Sequence, residues 1–261
     1  MMRTIIDMLG REVEIQFPPK RIVSLVPSQT ELLADLGLND EVVGITKFCV
    51  HPESWFRSKT RVGGTKQLHI DKIRGLQPDL IIANKEENTQ EQIEQLAAEL
   101  PVWISDIQNI PQALQMIQVV GQLTGTDAKA SELVENIVNG FNKLAKAANS
   151  KRVAYFIWRD PWMSVGRDTF ISNMITTMGW TNVFAGENRY PEVTADTLRE
   201  LAPELVLLSS EPFPFKEKHI AEVKTVLPNA EVLLVDGEMF SWYGSRIVKA
   251  VDYLQSLIAN S

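Results

Sequence analysis

One pattern of apolar and polar residues occurs twice in this chain, in Ile70–Ala83 ("IDKIRGLQPDLIIA") and Ala195–Leu208 ("ADTLRELAPELVLL"). Each copy has apolar residues at helical spacing, then a proline, then an uninterrupted aliphatic run. Such a run predicts a strand buried on both faces, as in parallel sheets. Each copy therefore predicts a short helix followed by a buried strand. The identical positions are Asp71/Asp196, Arg74/Arg199, Leu76/Leu201, Pro78/Pro203 and Leu80/Leu205.

The segment before each copy carries a similar pattern of elements. Aliphatic runs alternate with amphipathic stretches, and Gly37 and Gly179 follow the amphipathic stretches as helix-ending residues. The predicted strands are Ile22–Val26, Val42–Thr46 and Val153–Trp158, and the predicted helices are Ser28–Leu36 and Phe170–Met178. The alternation predicts an α/β protein with two similar Rossmann-like lobes, parallel sheets and right-handed crossovers.

A continuous helical stripe of apolar residues joins the two halves, from Asp127 to Ala148. It contains no Gly/Ser/Pro-rich linker, and Gly140 is the one residue that weakens the helix. We therefore expect one long helix between the lobes. The predicted domains are an N-terminal α/β lobe at 1–126, a bridging helix at 127–149 and a C-terminal α/β lobe at 150–261.

Composition excludes several classes of protein. The 261 residues carry a formal charge of −7, so a nucleic-acid-binding surface is not expected. No apolar run approaches the roughly 20 residues of a membrane span. Charged residues interrupt the first 17 residues, which predicts no signal peptide and a cytoplasmic protein as written. The alternative is a periplasmic or otherwise extracytoplasmic protein from which a leader was removed. Enzyme motifs such as G-x-S-x-G and H-E-x-x-H are absent, so an enzyme is not expected.

Aromatic residues concentrate on the loops that follow the predicted strands, where ligands bind in open parallel sheets. Rigid rings along a groove suit a broad, flat, partly apolar ligand such as a corrin or a porphyrin. Any single ring has core packing as its alternative role. The predicted ligand-binding residues are Phe48, Trp158, Trp162, Tyr190, Phe240, Trp242 and Tyr243.

The segment "KFCVHP" holds the one cluster of metal-capable side chains that the sequence suggests. Cys49 and His51 are two residues apart, so an extended backbone points both to one side. They are predicted to hold a soft or borderline metal, or His51 alone to ligate cobalt or haem iron. Glu86 or Glu87 is needed to complete a ligand set, and a polar rim before Pro52 is the alternative. His69 and His219 are expected to be surface residues.

Four segments resemble the class III, helical-backbone substrate-binding proteins of ABC importers. They are "LGREV…PPKRIVSLVPSQTELLADLG", "KIRGLQPDLIIA", "TLRELAPELVLL" and "SWYGSRIVKAVDYL". The resemblance covers the whole chain and is closest to the cobalamin-binding branch. It implies a monomeric protein with no intrinsic cofactor. In the cleft between its lobes it captures a corrinoid, haem, an iron siderophore or a metal ion.

The same resemblance assigns roles to individual residues. Asp71 and Asp196 occupy the positions of the carboxylates that bind arginines of the ABC permease dimer. Phe48, Tyr190 and Trp242 lie at or near ligand-contact positions. Stabilisation of the helix N-terminus is the alternative role of the two aspartates.

The chain also departs from the cobalamin-binding pattern, with Thr65 where relatives have an aromatic residue and Ser241–Trp242 where they have an acidic–basic pair. Two other functions stay open. One is a cytoplasmic carrier or sensor of a corrinoid, haem or metal, and the other is an enzyme acting on a tetrapyrrole.

Overall fold

The computed structural model describes residues 1–147 and 149–260, and these residues form two compact units. Unit 1 consists of Met1–Ile107, Pro111–Val138 and Tyr243–Arg246. Unit 2 consists of Gln108–Ile110, Asn139–Trp242 and 247–260. The chain therefore passes from one unit to the other at several places, two of them inside helices. Among the described residues, no helix is both long and apolar enough to span a bilayer.

Unit 1 contains a parallel five-stranded sheet with the strand order β5-β4-β3-β6-β7, beside the antiparallel hairpin β1–β2. The interior strand β6 is buried along its whole length, because helices cover both faces of a parallel sheet. The strands are β1 Met2–Ile6, β2 Glu12–Gln16, β3 Ile22–Ser24, β4 Val42–Ile45, β5 Thr60–Arg61, β6 Leu80–Asn84 and β7 Val102–Ser105. The helices are α1 Pro27–Asp35, α2 Glu53–Ser58, α3 Ile70–Gly75, α4 Gln90–Ala97 and α5 Ile110–Thr124.

Unit 2 contains a second parallel sheet, with the order β10-β8-β11-β12 and the short antiparallel strand β9 paired to β8. Its central strand β11, like β6 of unit 1, is fully buried. The strands are β8 Arg152–Trp158, β9 Met163–Ser164, β10 Thr181–Asn182, β11 Leu205–Ser209 and β12 Glu231–Val235. The helices are α6 Asp127–Lys143, which enters from unit 1, α7 Phe170–Thr177, α8 Ala195–Leu201, α9 Glu217–Val226, α10 Glu238–Ser241 and α11 Ile247–Ala259. The predicted α/β class with two similar lobes is confirmed.

The repeated motif has the same structural role in both units. In unit 1, the Asp79 carboxylate accepts hydrogen bonds from the backbone N–H groups of Lys20 (2.7 Å) and Arg21 (2.8 Å). The Arg21 side chain in turn donates to the carbonyl of Leu76, at the end of α3. This arrangement fastens the end of the repeat helix to the beginning of the first sheet strand.

Unit 2 repeats this fastening with the equivalent residues. Glu204 accepts a hydrogen bond of 2.9 Å from the backbone N–H of Arg152, and the Arg152 side chain donates to the carbonyl of Leu201. Gln77 and Ala202, which precede the two prolines, both adopt a left-handed backbone conformation with φ of 46° and 40°. A shared fold accounts for the repeat, whatever further role its exposed residues have.

The joining helix is shorter than predicted, because α6 ends at Lys143. The next backbone N–H groups find partners elsewhere in unit 2: that of Ala145 donates to the Gln255 side chain at 2.8 Å, and that of Ala147 donates to the Met178 carbonyl at 3.0 Å. Ala148, the predicted end, lies outside the described residues. Gly140 lets α11 approach α6, since a Cβ at this position would lie 3.2 Å from Val251.

Candidate functional site

Phe48 is an exposed aromatic ring in the loop that leaves β4 of unit 1. Its side chain is 51% exposed, and the Lys47 ammonium lies 5.1 Å from its ring centroid. The neighbouring loop supports the ring closely, because a Cβ on Gly64 would lie 3.2 Å from a Phe48 ring carbon. Phe48 is therefore an apolar surface with a positive charge beside it, at the carboxyl end of a parallel strand.

A buried polar network that the sequence analysis missed holds the neighbouring loops of unit 1. Asn88 donates to the carbonyls of Leu25 (3.3 Å) and Thr65 (3.1 Å), and its own side-chain carbonyl accepts from the backbone of Asn84 (2.9 Å). Asn84 also donates to the Ser105 hydroxyl at 3.0 Å. The available signal was an asparagine directly after the aliphatic run of β6. The network fixes the loops at this end of the sheet, since each buried polar group needs a partner.

Cys49 is an interior thiol. Its side chain is fully buried, and its Sγ lies 3.1 Å from the hydroxyls of both Thr30 and Thr46. Burial raises the pKa of the Cys49 thiol, which disfavours the thiolate that a metal requires. His51 is half-buried, and the described residues include no group of three or more His, Cys, Asp and Glu able to hold a metal ion. We therefore withdraw the prediction that Cys49 and His51 share a metal.

In unit 2, four aromatic side chains beyond β8 and β11 form a continuous cluster, the aromatic platform. Trp158, which is 40% exposed, contacts Phe213 edge to face with ring centroids 5.9 Å apart. Phe213 contacts Phe215 at 4.8 Å, and Phe215 stacks on Trp162 at 5.5 Å. The predicted residues Trp158 and Trp162 thus lie in one cluster with Phe213 and with Phe215, which is buried in the core of unit 2. Trp158 presents the most exposed ring of the platform.

Charged and polar groups support the platform from its sides. The Arg159 guanidinium lies 5.3 Å from the Trp162 ring centroid and donates to the Glu222 carboxylate at 2.7 Å. His219 is buried against Phe213, and its Nδ1 accepts the backbone N–H of Lys216 at 2.8 Å. The prediction of a surface role is therefore wrong for His219, whereas His69 is exposed as predicted.

Tyr190 lies in a second loop of unit 2 and is half-buried. The Arg189 guanidinium lies 5.5 Å from its ring centroid. Arg189 has a left-handed backbone (φ 59°), and the N–H of Gly166 donates to its carbonyl at 2.7 Å. Gly166 is required for this approach, since a Cβ there would lie 2.6 Å from the Glu187 carbonyl. The loop therefore holds Tyr190 in a defined position.

The three aromatic residues predicted near the C-terminus are buried. Phe240 is fully buried between Tyr155 and Tyr253 in the core of unit 2, so we withdraw it as a ligand contact. Tyr243 is 7% exposed and belongs to unit 1. Trp242 is 8% exposed, and its indole Nε1–H donates to Glu211 at 2.9 Å. Tyr243 and Trp242 therefore expose little surface for contact with a ligand.

Asp71 and Asp196 lie in the first turns of α3 and α8, with side chains 97% and 87% exposed. Each makes an ion pair with the arginine three residues later, Arg74 at 3.2 Å and Arg199 at 2.6 Å. Exposed pairs of this kind contribute little stability. Both carboxylates are therefore accessible to a cationic partner from solution.

Two α/β units with aromatic residues beyond parallel strands, and one helix shared by both units, define the class of solute-binding proteins with a helical backbone. Residues 22–228 match the model of the family described as "Periplasmic binding protein". The chain belongs to the periplasmic binding protein family. Membership in a family of binding proteins confirms the expectation that the chain is not an enzyme.

Two related proteins are similar to this chain over most of its length. An uncharacterized ABC transporter substrate-binding lipoprotein, YvrC of Bacillus subtilis, is 26% identical over 272 residues, covering 98% of this chain and 85% of that protein. The vitamin B12-binding protein of Yersinia pestis is 27% identical over 195 residues, covering 73% of this chain and 69% of that protein.

Solved structures confirm the fold. The periplasmic vitamin B12-binding protein BtuF of Vibrio cholerae superimposes with a TM-score of 0.80 at 22% identity, over 94% of this chain and 98% of that chain. The periplasmic haem-binding protein RhuT from Roseiflexus sp. RS-1 gives a TM-score of 0.78 at 21% identity, over 92% and 98% of the two chains.

Proposed function

We propose that this protein captures a corrinoid outside the cytoplasm and delivers it to an ABC permease. The observation that carries the proposal is the aromatic platform of unit 2, in which Trp158 is 40% exposed. Exposed rings are costly in water and favourable against a flat, partly apolar ligand. The B12-binding relatives in Yersinia and Vibrio support a corrinoid as the first ligand to test.

Haem, an iron siderophore or another metal chelate is the alternative cargo of the same site. Phe48, Tyr190, Trp242 and Tyr243 are proposed as further ligand contacts. No intrinsic cofactor is proposed, because the ligand is cargo. The permease is the proposed partner, and Asp71 and Asp196 are the proposed contacts with its arginines. The lipoprotein and periplasmic relatives support an extracytoplasmic location.

Titration of the purified protein with cyanocobalamin, haemin, a ferric hydroxamate and Zn²⁺ tests the ligand class. We expect saturable quenching of tryptophan emission by cyanocobalamin, because a corrin over Trp158 absorbs its fluorescence. Calorimetry on the same samples separates binding from optical artefacts. Saturation by haemin or the hydroxamate alone reassigns the cargo, and binding by none of the four removes the capture function.

A further inference from the structure

Glu211 is the common acceptor for two consecutive residues of unit 2. Its Oε1 accepts hydrogen bonds from the Ser241 hydroxyl at 2.7 Å and from the Trp242 indole N–H at 2.9 Å. Ser241 ends α10, and Trp242 is the first residue after it. One carboxylate oxygen therefore ties the end of α10 to the loop that follows β11.

The loop that carries Glu211 is itself held in place. The Ser209 hydroxyl accepts from the Tyr155 hydroxyl at 3.0 Å and from the Glu211 backbone N–H at 3.2 Å. Gly237 packs against this loop so closely that a Cβ would lie 2.6 Å from the Glu211 Cγ. The position of the Glu211 side chain is thus set by β8, β11 and the turn before α10.

Two acidic side chains lie near Glu211. Asp236 and Glu238, from the turn between β12 and α10, line a cavity of about 490 Å³ together with Glu211. The phenols of Tyr155 on β8 and Tyr253 on α11 complete the surroundings, and the Tyr253 hydroxyl accepts the backbone N–H of Asp236 at 2.9 Å. The negative charges of Asp236 and Glu238 disfavour ionisation of the buried Glu211, so the site favours proton uptake by Glu211.

We propose that Glu211 is the positioning residue of the α10 lip, the segment 237–242, and that protonation of Glu211 loosens this lip. The inference rests on the proposed function to the extent that the lip borders the ligand through Trp242. An ionised acceptor makes stronger hydrogen bonds than a neutral carboxyl group, so proton uptake weakens both contacts to Oε1. Ligand retention then becomes pH-dependent.

The surroundings of Glu211 raise its pKa. Burial raises the pKa of Glu211 above its ordinary value of 4.5, and the negative charges of Glu238 and Asp236 raise it further. The hydrogen bonds from Ser241 and Trp242 lower the pKa but are outweighed by burial. Glu211 therefore takes up a proton before an exposed glutamate does.

NMR of the indole N–H groups in the ligand-free full chain tests the inference directly. The Trp242 resonance is assigned by its loss in Trp242→Phe and followed from about pH 8 to about pH 4, a range that brackets the ordinary glutamate pKa. We expect one transition with a midpoint above 4.5. Glu211→Gln should abolish it, because the amide keeps an acceptor oxygen and does not titrate. The other indole resonances report that the variant is folded.

Glu238→Gln is the matched control, since it removes a neighbouring negative charge without touching Oε1. In this variant the transition should persist with a lower midpoint. A transition that survives in Glu211→Gln, or an unmodified protein whose Trp242 resonance does not titrate, overturns the inference.

Measuring the affinity for cyanocobalamin across the same pH range tests whether the α10 lip affects ligand binding. In the unmodified protein we expect the affinity to fall about fivefold below the midpoint, which is the size expected from weakening two hydrogen bonds. In Glu211→Gln the affinity should not change with pH. The experiments distinguish failure of the proposed cargo from failure of the proposed α10 lip. Absence of cyanocobalamin binding contradicts the proposed cargo and leaves the NMR result standing, whereas binding without the Trp242 transition contradicts the lip alone.

Discussion

Arg246 holds the carboxylate of Glu31 in unit 1 through two parallel hydrogen bonds of 2.8 Å, from Nε to Oε2 and from Nη2 to Oε1. The two side chains are only 7% and 8% exposed. Removing one partner of a buried pair leaves an uncompensated charge, which costs about 3–5 kcal/mol. We therefore expect Arg246→Met to lower the free energy of unfolding by about this amount, measured by urea denaturation.

The double variant Glu31→Leu/Arg246→Met is the control for this prediction. It removes both charges, so its loss of stability should be smaller than that of Arg246→Met alone. Equal losses in the single and double variants would contradict the charge argument and leave packing as the explanation.

Trp158→Ala should weaken cyanocobalamin binding about tenfold or more, because burying one ring against a flat ligand is worth roughly 1–3 kcal/mol. Calorimetry measures the affinity, and the fluorescence quench should shrink in parallel. Trp55→Phe is the matched control, since Trp55 is buried in α2 of unit 1 and should contribute neither affinity nor ligand-dependent quench. Unchanged affinity in Trp158→Ala would move the site away from the aromatic platform.

The double variant Asp71→Ala/Asp196→Ala should bind ligand normally and lose uptake through the permease. Both carboxylates are exposed, so their removal has little effect on stability. Glu132→Ala/Glu135→Ala removes two exposed carboxylates of α6 and should leave uptake unchanged. Equal uptake by the two double variants would contradict the docking role of Asp71 and Asp196.

Ala202→Gly should raise the free energy of unfolding by up to about 1 kcal/mol. Ala202 has φ of 40°, a left-handed conformation that costs an L-residue with a Cβ roughly 1–2 kcal/mol and glycine very little. Ala97→Gly, at a right-handed position in α4, should instead lower stability. Thermal unfolding of both variants measures the difference. Destabilisation by Ala202→Gly would contradict the prediction, because it would mean that packing of the Ala202 methyl group stabilises the fold by more than the left-handed backbone costs.

Strands β3, β4, β6, β8 and β11 could be predicted because each contains a continuous aliphatic run, whereas the other seven strands that the structure describes were not predicted. Strands β6 and β11 appear where the two repeats indicated. The end of α6 could not be predicted, since the residues after Lys143 continue the helical pattern. Partners from distant segments, Gln255 and Met178, hold the backbone there instead.

The candidate site was less predictable because burial on loops depends on tertiary neighbours. Phe240 and Trp158 were both predicted to contact the ligand, yet Phe240 lies in α10 and is fully buried, whereas Trp158 ends β8 and is 40% exposed. The Glu211–Trp242 hydrogen bond joins residues 31 positions apart, and no local pattern indicates it. Sequence periodicity reports which elements form, whereas it does not report which side chain of a loop reaches solvent.

The segment Tyr243–Arg246 belongs to unit 1 but is synthesised after most of unit 2. It packs against α1, where a Cβ on Gly244 would lie 2.9 Å from the Ser28 carbonyl. Arg246, which binds the Glu31 carboxylate, is synthesised 215 residues after it. Domains otherwise tend to fold from the N-terminus as they emerge. Here the strands of unit 1 are made first, but the ion pair between Glu31 and Arg246 can form only after residue 246 has been synthesised.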